Sequence, residues 1–219
     1  MNDEQRREVP AALAARISAD LAPVRPLPRA EMRFGVVALL ATLAAALMLF
    51  ALGMRRDMPF TSPVFLIMLA IRIEAGALLA ILALRESIPG RHARLDTKAT
   101  TVLFALAVLF LFPRFLTGPP SPAGPGFCFP VIVLVALPSF AALLWLLARA
   151  YPLHPVRTGA IAGLGSGLLA EAAQFIACSN SGYMHASVIH GGAAVSMAIC
   201  GLLGGWLLEI RRRRQFSLE

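Results

Sequence analysis

The chain has 219 residues, 58% of them hydrophobic and 15% charged, with a mean hydropathy of +0.73. A soluble domain is about 45–50% apolar and about 25% charged, so the expected solvent is the bilayer and a water-soluble enzyme is excluded. The net charge of +8 then records topology rather than nucleic-acid binding, because Lys and Arg gather in cytoplasmic loops, and three cysteines are too few for a disulfide framework.

Residues 1–33 form a polar, basic tail broken by Pro10, Pro23, Pro26 and Pro28. They have no early apolar core and do not read as a signal peptide. Pro10 suits the first position of a helix. Leu13, Ile17 and Leu21 recur at i, i+4 and i+8, which marks one apolar stripe, with Arg16 and Asp20 off it. The helix has to stop before Val24, Arg25 and Leu27, where the prolines remove donors and favour extended backbone. A helix this short needs a surface to lie on. Lipid headgroups and a partner protein's groove both qualify on composition alone.

Six apolar segments follow, at about 34–54, 63–84, 98–116, 129–148, 158–178 and 186–208. Each is close to the ~20 residues that cross a ~30 Å hydrocarbon core. The expected fold is an all-α membrane protein of six transmembrane helices over 34–208, with a short cytoplasmic tail at 1–33 and a basic one at 209–219. Basic residues occupy the tail, the 85–98 loop, the 149–157 loop and Arg211 to Arg214; Arg55, Arg56 and Arg114 fall on the other side. That bias places both ends of the chain in the cytoplasm. Pro138 interrupts the fourth segment and implies a kink. Gly159, Gly163 and Gly167 on the fifth segment, and Gly201 and Gly205 on the sixth, are small faces that let helix backbones approach closely, within one bundle or across a homo-oligomer.

Arg72 and Glu74 lie near the middle of the second segment. Two residues apart on a helix, they do not face each other, so each needs another partner. Glu171 lies at similar depth on the fifth segment, and an Arg72–Glu171 pair would neutralise two costly intramembrane charges. Cys128 precedes the fourth segment and Cys178 ends the fifth. A hairpin through the 149–157 loop brings both thiols to one level on the outer side. There they could be buried apolar residues, a disulfide, or a redox or soft-metal sensor with His190 or His185 as third ligand. Cys200, mid-segment, fits a small apolar residue. Gln174 and Glu171 sit one and two turns before Cys178. No G-x-S-x-G, H-E-x-x-H or Walker pattern occurs, and no cofactor is expected.

The order DLAPVRPLP, a cysteine opening the fourth span, PLHP leading into GAIAGLGSGLLAEAA and Cys178, then VIHGG with His190, resembles the NrsF-type family of membrane anti-sigma factors, over residues about 18–208. The Pro113 end of the third segment and the Arg72–Glu74 pair are departures from that pattern. The resemblance implies a bacterial inner-membrane regulator rather than an enzyme. Its cytoplasmic tail, here Asp20 to Pro28, would hold an extracytoplasmic-function sigma factor, without direct contact to nucleic acid. An outer-side cysteine pair, here Cys128 and Cys178, would respond to heavy-metal or oxidative stress. The competing reading is a small transporter or membrane redox protein using Arg72, Glu74, Glu171 and the thiols.

Overall fold

The computed structural model describes residue 15 and residues 27–54, 62–88, 127–150, 152–178 and 185–216. Among the described residues all regular structure is helical. Helix α1 spans Ala30–Leu52, α2 Pro63–Glu86, α3 Cys128–Ala150 and α4 Pro155–Ala177. A π-helix, His185–Gly191, leads directly into α5, Gly192–Phe216. Five helical stretches are long and apolar enough to cross a membrane. They correspond to five of the six expected segments. The remaining one, 98–116, lies outside the described residues, so the expected count of six becomes five here.

Helix boundaries shift at both ends of the chain for identifiable reasons. α1 begins at Ala30, so Arg33 belongs to a helix rather than to the tail. Arg33 is buried, and it donates to the Leu84 carbonyl at 2.7 Å and to Ser87 Oγ at 3.3 Å. Those bonds tie the start of α1 to the end of α2. α5 continues through the arginine run to Phe216, with Arg213 pairing to Glu209 one turn back at 2.6 Å and Arg212 donating to the Pro152 carbonyl at 2.8 Å. α3 runs through Pro138 without a break in its assigned helix, while Ser139 Oγ donates to the Ala136 carbonyl.

α4 is the centre of the bundle. Its glycines show why. A Cβ at Gly159 would strike the Gly201 carbonyl of α5, and one at Gly163 the Met197 carbonyl. One at Gly165 would lie 2.9 Å from the Ala80 backbone nitrogen of α2. Without side chains at these positions, α4 packs backbone to backbone on two neighbours. Backbone contact of this kind is what holds helices together in lipid, where dispersion and packing drive association. The GxxxG faces of the two segments are therefore spent within one chain. Apolar side chains fill the rest: Leu79, Leu84, Leu143 and Leu147 around Ala162 and Leu164 toward one end, and Ile132, Phe140 and Met197 around Ala173 toward the other.

Candidate functional site

The two ends of this bundle differ chemically. At one end the starts of α1 and α4 meet the ends of α2 and α5. Arg85 pairs with Glu31 at 2.6 Å and Arg157 with Glu86 at 2.8 Å, beside the Arg33 and Arg212 contacts above. At the opposite end the start of α3, the end of α4 and the π-helix converge on sulfur and imidazole. Cys128 opens α3, where it was expected just ahead of the helix, and Cys178 caps α4, its N–H bonded to the Gln174 carbonyl at 2.8 Å.

The two side chains are half-buried thiols, with Sγ atoms 3.6 Å apart. His185 places Nε2 at 3.3 Å from Cys178 Sγ. His190 is buried at the same place, and one ligand atom from each of Cys128, Cys178, His185 and His190 lies within 4.8 Å of every other. The π-helix makes this possible. Five residues along an α-helix amount to about 140° past a full turn, which would point the two imidazoles apart. In a π-helix the hydrogen-bonded repeat is itself five residues. His185 and His190 thus share one side, their rings edge to face at 5.1 Å between centroids.

From His190 a polar file runs into the bundle. His190 Nδ1 lies 3.4 Å from Glu171 Oε1. Glu171 is buried, and Arg72 Nε sits 2.8 Å from its Oε2 and 3.2 Å from its Oε1. Arg72 also donates to the Met68 carbonyl at 2.9 Å and lies over the Phe175 ring at 4.3 Å, and that ring stacks on Phe65 at 4.8 Å. The guanidinium is thereby paired, hydrogen-bonded and stacked, which is what a charge inside a low-dielectric bundle requires. Gln174 is buried along the same file, one turn before Cys178.

The structure thus brings together Arg72, Glu171, Cys128, Cys178, His185 and His190. Glu74 is exposed and lies off the file, and Cys200 is exposed on α5, away from the other thiols. Leu13, Ile17, Asp20, Leu21, Val24 and Arg25 lie outside the described residues; Leu27, just ahead of α1, is exposed. Sequence reasoning had Arg33 as a tail residue and offered His190 or His185 as a third ligand beside the thiols, not both at once. A five-residue spacing argues against a shared α-helical face, and nothing in HASVIHGG announces a π-turn.

A match to the family NrsF, described as negative regulator of sigma F, extends over residues 17–210. The chain belongs to the NrsF family. That membership makes it a negative regulator whose partner is a sigma factor, a role that is not enzymatic. No curated protein and no solved structure matches the chain. The matched region takes in α1 to α4, the π-helix, the whole Cys/His cluster and its Arg72–Glu171 support. It also takes in Ile17, Asp20 and Leu21 of the tail, while Leu13 lies just before it.

Proposed function

We propose that this NrsF-family chain is a multi-pass protein of the bacterial inner membrane that sequesters an extracytoplasmic-function sigma factor through its N-terminal tail. The sigma factor is released when Cys128, Cys178 and His190 meet a metal or an oxidant. The 98–116 segment would supply the sixth span and return both ends of the chain to the cytoplasm. The observation that carries this reading is the polarity of the bundle. Among the described residues, paired arginines collect at one end and the thiol–imidazole cluster at the other, and by the positive-inside rule this supports an outer-face cluster and a cytoplasmic tail. Thiols on an outer face meet an oxidising compartment, and a tail on the inner face meets the sigma factor.

In the tail, Leu13, Ile17 and Leu21 would enter an apolar groove, with Asp20, Val24, Arg25 and Leu27 extending the contact. Sequestration is then mass action between tail and groove. A contiguous route joins the two faces. Cys128 begins α3, whose Ile132 packs in one apolar cluster with Met48 near the end of α1. α1 in turn leads back to the tail. A shift of the cysteine ends would pass along α1 as a rigid-body movement, as close-packed helices tend to do. Coupling of ~1–3 kcal/mol weakens tail binding roughly 5- to 150-fold.

The test is induction of a sigma-dependent reporter by cadmium and by peroxide. Cys128→Ser and Cys178→Ser should each abolish induction while repression without stress stays intact, and Cys200→Ser should induce normally. Normal induction in the double serine variant would remove the thiols from the mechanism.

A further inference from the structure

We infer that Cys128, Cys178, His185 and His190 form a closed, four-coordinate site for a thiophilic divalent ion of the zinc–cadmium type, with Glu171 and Arg72 as its built-in support. This deepens the sensor reading and rests on that reading for its biological meaning; the binding itself is measured without it.

Geometry comes first. With bonds of about 2.3 Å to sulfur and about 2.0–2.1 Å to nitrogen, a tetrahedral zinc site has S···S edges of about 3.8 Å and S···N edges of about 3.6 Å. Here the thiols are 3.6 Å apart and the Cys178–His185 edge is 3.3 Å. The longest separation in the set is within 4.8 Å, so closure onto an ion needs a movement of about 1 Å at its widest.

The second observation is a buried, unsatisfied nitrogen atom. His190 Nε2 is buried without a hydrogen-bond partner, while His185 meets Cys178 through its Nε2. For His190 this is the arrangement a metal ligand shows. Its Nδ1 faces the Glu171 carboxylate at 3.4 Å, which fixes the ring and leaves Nε2 directed at the thiols. Ligating histidines almost always hand their second N–H to such an acceptor. Glu171 is fixed in turn by Arg72, and the two charges cancel. The support adds no net charge to the site.

Charge balance favours the same ion class. Two thiolates and two neutral imidazoles around a dication sum to zero, the composition best tolerated at the margin of a low-dielectric bundle. Binding breaks two S–H bonds and forms two metal–sulfur and two metal–nitrogen bonds. The two thiol protons, with any proton on His190 Nε2, pass to water, and no electrons move. Two sulfurs and two imidazoles suit zinc or cadmium far better than magnesium or calcium, which take oxygen ligands. Four protein ligands leave no open position, so the site is structural or regulatory rather than catalytic.

The experiment uses the full chain, reduced and metal-free, in lipid nanodiscs, with cobalt(II) as probe. One cobalt per chain should bind, with the intense visible bands of a tetrahedral ion and thiolate-to-cobalt charge transfer, and zinc or cadmium should displace it. Zinc should also slow alkylation of Cys128 and Cys178 while leaving the rate at Cys200 unchanged, a readout that needs no variant. Glu171→Gln should weaken binding about 10- to 100-fold while keeping the tetrahedral spectrum. His185→Ala should change the spectrum itself. A pale six-coordinate cobalt spectrum, or equal alkylation rates with and without zinc, would overturn the site. If that happened while Cys128→Ser still abolished induction, the metal centre would fall and the sensor reading would stand. If the ion bound as described and the serine variants induced normally, the centre would stand and the sensor reading would fall.

Discussion

Helices α1 and α4 are each 23 residues long, and they invert what a soluble protein would show. α1 is the more apolar, yet only 11% of its spanning stretch is buried, against 78% for α4. α4 carries the glycines, Ser166, Glu171 and Gln174, and it lies in the middle. Lipid tails are as apolar as leucine, so leucines gain little by leaving lipid, while small and polar residues gain close backbone contact and hydrogen bonds inside. In this chain the more apolar helix is the more exposed and the less apolar one the more buried, the pattern expected where lipid is the solvent. The chemistry follows the same division: the buried helix positions the Cys/His cluster, and the exposed helix carries the tail.

The sharpest way to break that comparison is to give α4 a side chain where it has none. Gly163→Leu would drive a branched side chain into the Met197 backbone of α5. Both partners are helix backbone and neither can move aside, so the expected outcome is loss of folded protein. Size-exclusion profiles of the full chain in detergent check this, and a normal monodisperse peak would mean that the α4–α5 contact is looser than described.

Next in size is the buried pair. Arg72→Met leaves the Glu171 carboxylate without its cation, and breaking a buried pair costs about 3–5 kcal/mol. Adding Glu171→Gln should recover part of that loss, because the isolated charge is gone. Thermal unfolding of the two single variants and the double variant measures the coupling. Strictly additive losses would show that the two side chains are adjacent without depending on each other.

The tail is a smaller target, and it separates binding from folding. On the proposed tail-and-groove reading, Ile17→Asp or Leu13→Asp would place an unpaired charge in an apolar groove at a cost of ~1–3 kcal/mol. Retention of the sigma factor by the membrane protein should weaken about 5- to 150-fold, with thermal unfolding unchanged. Full repression by a chain lacking residues 1–25 would mean that the sigma factor is held elsewhere.

What the sequence made legible follows from the same physics. The apolar segments were visible because spanning lengths are fixed by the bilayer. The basic end was visible because arginine is expensive in lipid. Arg72 and Glu171 stood out as a pair for that reason too, and the structure sets them in contact. The level of Cys128 and Cys178 came from counting residues along two antiparallel helices. His185 and His190 were legible only as alternative ligands to the thiols, since their joint convergence depends on a π-turn that leaves no periodic signal. Arg33 was hidden for a different reason. A cation next to a proline-rich tail looks solvated until the carbonyl of Leu84, fifty-one residues away, is seen to accept from it.

The smallest expected effect tests what covers α1. Leu39, Leu43, Leu47 and Phe50 are exposed along this helix, Leu47 at 70% and Phe50 at 91%. If lipid is their solvent, exchanging them for alanine removes apolar area from lipid contact and creates no cavity in protein. Leu47→Ala should then shift stability by no more than about 0.5 kcal/mol, the range of substitutions that touch no packed feature. The particle mass in detergent should not change. A second copy of the chain seated on this face would give a different result, because the same leucine would then fill a packed interface. Its loss would cost about 2 kcal/mol or more and reduce the oligomer in mass measurements. The comparison between α1 and α4 holds only in the first case. In the second, α1 would be buried after all, and the contrast between the two helices would reduce to which chain supplies the partner.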